Sequence, residues 1–175
     1  MASKALSEEE FVLALNPSTT PPDSVSESTL YKGPCHCGFL SYTVRLNFTD
    51  PHPITSTILS RCNGTICVKY GIITATPAPR SSFTLLSPAG GRAELKDYMV
   101  PDGLHRWLCP CCGIQCFVEG SYTYQGQEVS YTRINAATLD GRADGGKIEE
   151  LKDIKTRYYG GRDPGWIAEG SKEEP

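Results

Sequence analysis

Eight cysteines in a chain of 175 residues, seven of them gathered in three short motifs, constrain this sequence more than any other feature. The motifs are Cys35-His36-Cys37-Gly38, Cys62-Asn63-Gly64-Thr65-Ile66-Cys67 and Cys109-Pro110-Cys111-Cys112-Gly113. In a secreted miniprotein such a count reads as disulfides. In a reducing compartment it reads as metal or redox chemistry. The first ten residues contain three consecutive glutamates where a secretory leader carries positive charge, and no apolar run is long enough to span a membrane. A cytoplasmic location is therefore expected, and metal is the expected use of the thiols.

The step from Cys109 to Cys112 is a Cys-x-x-Cys-Gly turn, a spacing that faces two thiolates toward one point. The glycine can adopt the left-handed conformation that lets backbone N–H groups aim at sulfur. Cys35 and Cys37, two apart and also followed by glycine, can point the same way from an extended chain and supply the other half of a tetrahedron. The expectation is a closed four-thiolate zinc site on Cys35, Cys37, Cys109 and Cys112, structural because no ligand position stays open. Buried free thiols or a redox pair are the competing reading, and two glycine-ended pairs favour metal over it. Cys116, in an apolar stretch, is expected in the core, and Cys111 is expected to face outward.

Around these motifs the chain reads as strands and turns. Residues 1–29, rich in Ser, Thr and Pro, read as a weakly ordered arm, with a turn or two of helix over Ser7 to Leu15. A domain over 30–167 and a polar tail over 168–175 follow. Strands are predicted over 39–46, 54–59, 71–75, 83–86, 94–100, 105–108, 114–119 and 129–134. Residues 147–159 are ambiguous between a helix and, over 154–159, an edge strand. The fold class is thus mainly β, built around a four-cysteine zinc site.

The run from Tyr31 to Val44 containing Cys35-His36-Cys37-Gly38 resembles the opening of the glutathione-dependent formaldehyde-activating enzyme family, which includes centromere protein V. The similarity continues at Cys62 to Lys69, at Phe83-Thr84-Leu85 with Leu95 and Tyr98, and at Arg106 through Phe117. It returns weakly at Thr138-Leu139-Asp140 and Trp166-Ile167, so that it covers about residues 31 to 167. The resemblance implies a mainly β fold of twisted antiparallel sheets of the Mss4-like type that family has, one structural zinc on Cys35, Cys37, Cys109 and Cys112, and a second, catalytic zinc. The family pattern at the second site is Cys-x-Cys-x-x-Cys. Here Cys62 and Cys67 match its first and third cysteines, and Gly64 stands at the middle position. The second site is therefore incomplete. It is either completed by Cys111, Cys116 or His105, metal-free, or completed by a substrate or solvent atom.

The activity implied by the resemblance is that of a carbon–sulfur lyase. It would act on a small, carbonyl-bearing molecule or its thiol adduct, in a specialised biosynthetic step. Cys62, Cys67 and His105 are the catalytic candidates, His105 because its imidazole titrates near neutral pH. Lys69 and Tyr70 are the substrate-binding candidates. His36 is expected to point away from the metal and His52 to be exposed. Tyr158, Tyr159 and Trp166 are expected to pack. The formal charge of −3 and the lack of a basic patch argue against nucleic acid as a partner, and the acidic arm argues against a chromatin or microtubule role. A non-catalytic zinc module that binds a partner is the alternative function.

Overall fold

The computed structural model describes residues 28–48, 57, 59–100, 103–124, 126–146, 154 and 156–162. Residues 1–27 of the arm, with the helical turn predicted there, His52, residues 54–56 and 58 of the second predicted strand, residues 147–153, and the tail with Trp166 lie outside the described residues. The strands are β1 (Thr29–Pro34), β2 (Ser41–Leu46), β3 (Leu59–Cys62), β4 (Thr74–Ala75), β5 (Thr84–Ser87), β6 (Lys96–Met99), β7 (His105–Leu108), β8 (Gln115–Tyr124), β9 (Gln127–Asn135), β10 (Gly141–Arg142) and β11 (Thr156–Tyr159). One short α-helix, α1 (Thr65–Tyr70), follows β3. Among the described residues no helix is long and apolar enough to cross a membrane.

Two sheets form. The smaller has the order β10-β1-β2-β5 and the larger β11-β3-β4-β9-β8-β7-β6. Every pairing is antiparallel except β11 against β3, which is parallel. The mainly β, antiparallel fold class expected from the sequence is therefore present. The strand of period two in 41–46 is β2, whose Tyr42, Val44 and Leu46 are buried while Arg45 is exposed. Its inward side chains meet Phe117, Ile134, Ala75 and Leu59 from the larger sheet in one core. Aromatic rings join the layers: Tyr42 lies 5.2 Å from Phe83, and Phe83 lies 4.7 Å from Phe117. The buried Tyr42 hydroxyl hydrogen-bonds the hydroxyl of Thr138 at 2.8 Å, which satisfies both.

Several elements depart from the sequence reading, β1 and β10 among them, which fall where no strand is predicted, and one ambiguity is resolved. The link between Cys62 and Cys67, expected as a short turn, is α1. It is closed by Gly71 in the left-handed conformation, with the Gly71 N–H on the carbonyls of Cys67 and Val68. β8 and β9 run well past the predicted strands as one long hairpin, because cross-strand pairing continues in register from Phe117 against Ile134 to Tyr124 against Gln127. Over 154–159 the edge-strand alternative holds, since β11 is the outer strand of the larger sheet.

Gly33 of β1 faces the Tyr42 ring so closely that a Cβ there would overlap it. Gly33→Ala should force the ring off its seat and lower stability by about 1–3 kcal/mol. Denaturant unfolding checks this, and an unchanged midpoint would show that the Tyr42 seat is not rigid.

Candidate metal centre and the second cysteine pair

The tip of the β1–β2 hairpin and the tip of the β7–β8 hairpin are built alike. Cys35 N–H bonds the Leu40 carbonyl at 2.8 Å, and Cys109 N–H bonds the Ile114 carbonyl at 2.9 Å. Within each tip a glycine with positive φ, Gly38 at 79° and Gly113 at 76°, turns its N–H back onto the first cysteine's carbonyl. A side chain would strain either position. One tip belongs to the smaller sheet and the other to the larger, and they meet.

Where they meet, the Sγ atoms of Cys35, Cys37, Cys109 and Cys112 all lie within 4.8 Å of one another. Cys35 to Cys37 and Cys37 to Cys109 are each 3.6 Å. Zinc–sulfur bonds near 2.3 Å place tetrahedral sulfurs about 3.8 Å apart, so the four thiols fit a zinc ion. The Leu40 N–H points at Cys35 Sγ from 3.2 Å, a donor that suits a thiolate. Burial first, and then the neighbouring thiols, push the Cys35 thiol up to about 12 against the Leu40 N–H, and a dication reverses that preference. His36, between two of these cysteines, is exposed and outside the cluster, and Cys111 is exposed. Cys116 is fully buried, and burial raises its pKa strongly, so it is a neutral core thiol.

The second pair sits elsewhere. Cys62 ends β3 and Cys67 lies in α1, both partly exposed. Gly64 N–H points at Cys62 Sγ from 3.2 Å. A Cβ on Gly64 would stand 3.2 Å from Cys62 Sγ and 4.0 Å from Cys67 Sγ, so the middle position faces both sulfurs but offers no ligand. The N–H of Gly161, just beyond β11, also bonds Cys62. Gly161 approaches so closely that a Cβ would collide with that sulfur. Arg106 of β7 completes the group, close enough to act on both sulfurs by its charge.

These neighbours split the pair. The S–H of Cys67 donates to Cys62. Against burial, that bond together with the Gly64 and Gly161 N–H groups and Arg106 brings Cys62 down to about 6. Cys67 is driven the other way, by its bond to Cys62, by burial and by the Cys62 charge. The two thiols are thus pushed in opposite directions, Cys62 toward the thiolate and Cys67 toward the protonated form.

None of the three proposed completing ligands reaches this pair. Cys111 and Cys116 belong to the neighbourhood of the four-thiolate cluster. His105 precedes Arg106 and so faces the other side of β7, where it bonds Asp97 at 2.7 Å and stacks on Trp107. Among the described residues the four-thiolate cluster is the one group of three or more metal-ligating side chains. Two sulfurs with a guanidinium beside them do not fit a catalytic zinc, which takes three protein ligands. Lys69 and Tyr70 lie exposed on α1. Arg106 and Gly161 were not singled out as site residues from the sequence, and no local pattern marks either one.

No family model, curated protein or solved structure matches this chain.

One zinc per chain is the expected stoichiometry. Cys109→Ala, at a fully buried ligand, should lose that zinc and with it cooperative unfolding, because metal binding is folding energy in such sites. Metal analysis with thermal melting checks both points. A second tightly held zinc would overturn the reading of the Cys62–Cys67 pair.

Proposed function

We propose that this chain is a zinc-stabilised enzyme of the carbon–sulfur lyase class, related to the formaldehyde-activating family, with its reacting centre at Cys62 and Cys67. The observation that carries the reading is the convergence of two backbone N–H groups and the Arg106 guanidinium on that sulfur pair. Oriented donors and a fixed cation are what a nucleophilic thiolate requires. The four-thiolate centre is closed and serves the fold. Zinc there supplies a cross-link and offers no open position for chemistry.

A step follows from the assignment of protons. Cys62 sulfur attacks the carbonyl carbon of a small substrate, a carbon–sulfur bond forms, and the carbonyl π pair moves to oxygen. The Cys67 S–H gives its proton to that oxygen, leaving a hemithioacetal on Cys62. In the reverse direction Cys67 takes the proton back and the carbon–sulfur bond breaks. The arginine sits where it can steady the negative charge as it passes from sulfur to oxygen.

The rival is a zinc module that only binds a partner, and the exposure of Val68 and Tyr70 on α1 favours it. Chemistry at Cys62 separates the two. Alkylation of Cys62 by iodoacetamide should rise with pH through about 6 and then level off, whereas an ordinary thiol keeps gaining up to about 8.5. Isotope-labelled formaldehyde should form a hemithioacetal on the wild type and not on Cys62→Ser. A rate that climbs only at alkaline pH, with no adduct, would leave the partner-binding module.

A further inference from the structure

The two faces of the larger sheet differ in charge. Antiparallel register puts paired residues on one face. Tyr98 pairs with Arg106, Arg106 with Val118, and Val118 with Arg133, so Arg106 and Arg133 flank Val118 on a common face. The acids of β6 to β9 lie on the opposite face: Asp97 pairs with Trp107, Glu119 with His105 and Thr132, and Glu128 with Thr123. There Asp97 takes a hydrogen bond from His105, and Glu119 takes those of Arg92 and Trp107. The face that carries Arg106 thus has no carboxylate in β6 to β9. Cys62 lies on the same face by register: Ser60 pairs with Thr74 and Thr74 with Asn135, two residues along β9 from Arg133, and Cys62 is two residues along β3 from Ser60.

Arg106 is nine-tenths buried, and its Nε has no hydrogen-bond partner among the described residues. Arg133 is partly buried, with its guanidinium over the Tyr131 ring at 5.4 Å, and among the described residues it has no acidic partner. A buried donor left unpaired is costly, and a buried cation more so. Even with one sulfur of the pair ionised, two guanidinium groups leave one positive charge over. A single small anion would cancel it and take up the free Nε–H. Planar guanidinium groups match carboxylate geometry closely.

We propose that this face receives a small carbonyl compound that also carries a carboxylate, such as a 2-oxo acid, held by Arg106 and Arg133 while its carbonyl carbon meets Cys62. The inference rests on the reacting role of Cys62 and adds the substrate class. One strand, β8, lies between the two arginine-bearing strands, so two strand spacings, about 10 Å, separate their backbones, a gap that two long side chains can close around one carboxylate. A neutral aldehyde leaves the excess charge unmatched. A carboxylate directly beside the carbonyl brings its carbon to the sulfur without any further carrier group.

Iodoacetate and iodoacetamide test this on the full chain, because they alkylate a thiol alike and differ in the carboxylate. The rates are measured at Cys62 by peptide mapping. The iodoacetate-to-iodoacetamide ratio at Cys62 should exceed that of free cysteine about tenfold or more, the effect of one charge-assisted pair. Arg106→Gln should return the ratio to the free-cysteine value. Arg133→Gln, at a less buried position, should lower it part of the way and serves if the Arg106 variant does not fold. A wild-type ratio no higher than that of free cysteine, with iodoacetamide still reacting rapidly at Cys62, would overturn the carboxylate inference alone. Slow reaction of Cys62 with both reagents would remove the reacting role beneath it.

Discussion

The four-thiolate cluster is the contact through which the two sheets are tied at their tips. Cys37 and Cys109, 72 residues apart in sequence, bring their sulfurs to 3.6 Å. Cys35 and Cys109 are almost wholly buried there. Structural zinc binding releases about 10–16 kcal/mol, comparable with the whole net stability of an ordinary domain at about 5–15 kcal/mol. An ion at this point therefore acts as a cross-link on which both hairpin tips depend. Arg106 lies three residues before Cys109 on the same strand. The strand that brings the guanidinium toward Cys62 and Cys67 is thus anchored at its end by the four-cysteine cluster.

Much of this arrangement was legible in the residues. Cysteine spacing with a following glycine is a local signal, and the two knuckles and their left-handed glycines follow from it directly. Period-two alternation found β2 and β7 nearly to the residue, because each buries one side of a half-covered strand. Strand ends were less legible. β8 and β9 extend as far as their mutual hydrogen bonds allow, and that partner is not visible along one strand. Helix α1 was missed because its six residues bury no apolar stripe; what defines it is the glycine on either side.

The second cysteine pair shows where reading along the chain stops. Cys62, Gly64 and Cys67 are neighbours in sequence, and the absence of a middle thiolate was plain. What replaces it comes from afar, an arginine on β7 and a backbone N–H beyond β11. His105 drew attention through its chemistry, yet one step along the strand it turns to the acidic face and pairs with Asp97. Residue type suggested the histidine, and pleating selected the arginine.

The parallel pairing of β11 with β3 has a bearing on biosynthesis. β11 is among the last described parts of the chain, and Gly161 lies two residues beyond its end. Just beyond, Arg162 N–H bonds the side chain of Asn63 across 99 residues. A growing chain therefore presents Cys62 long before the strand that supplies its second backbone donor exists. Contacts this distant in sequence also form late in folding, since a large loop must close first. Until β11 docks, Cys62 lacks one of the groups that hold its negative charge and stays nearer to an ordinary thiol. Reactivity at this sulfur is in that sense a readout of β11 having docked beside β3.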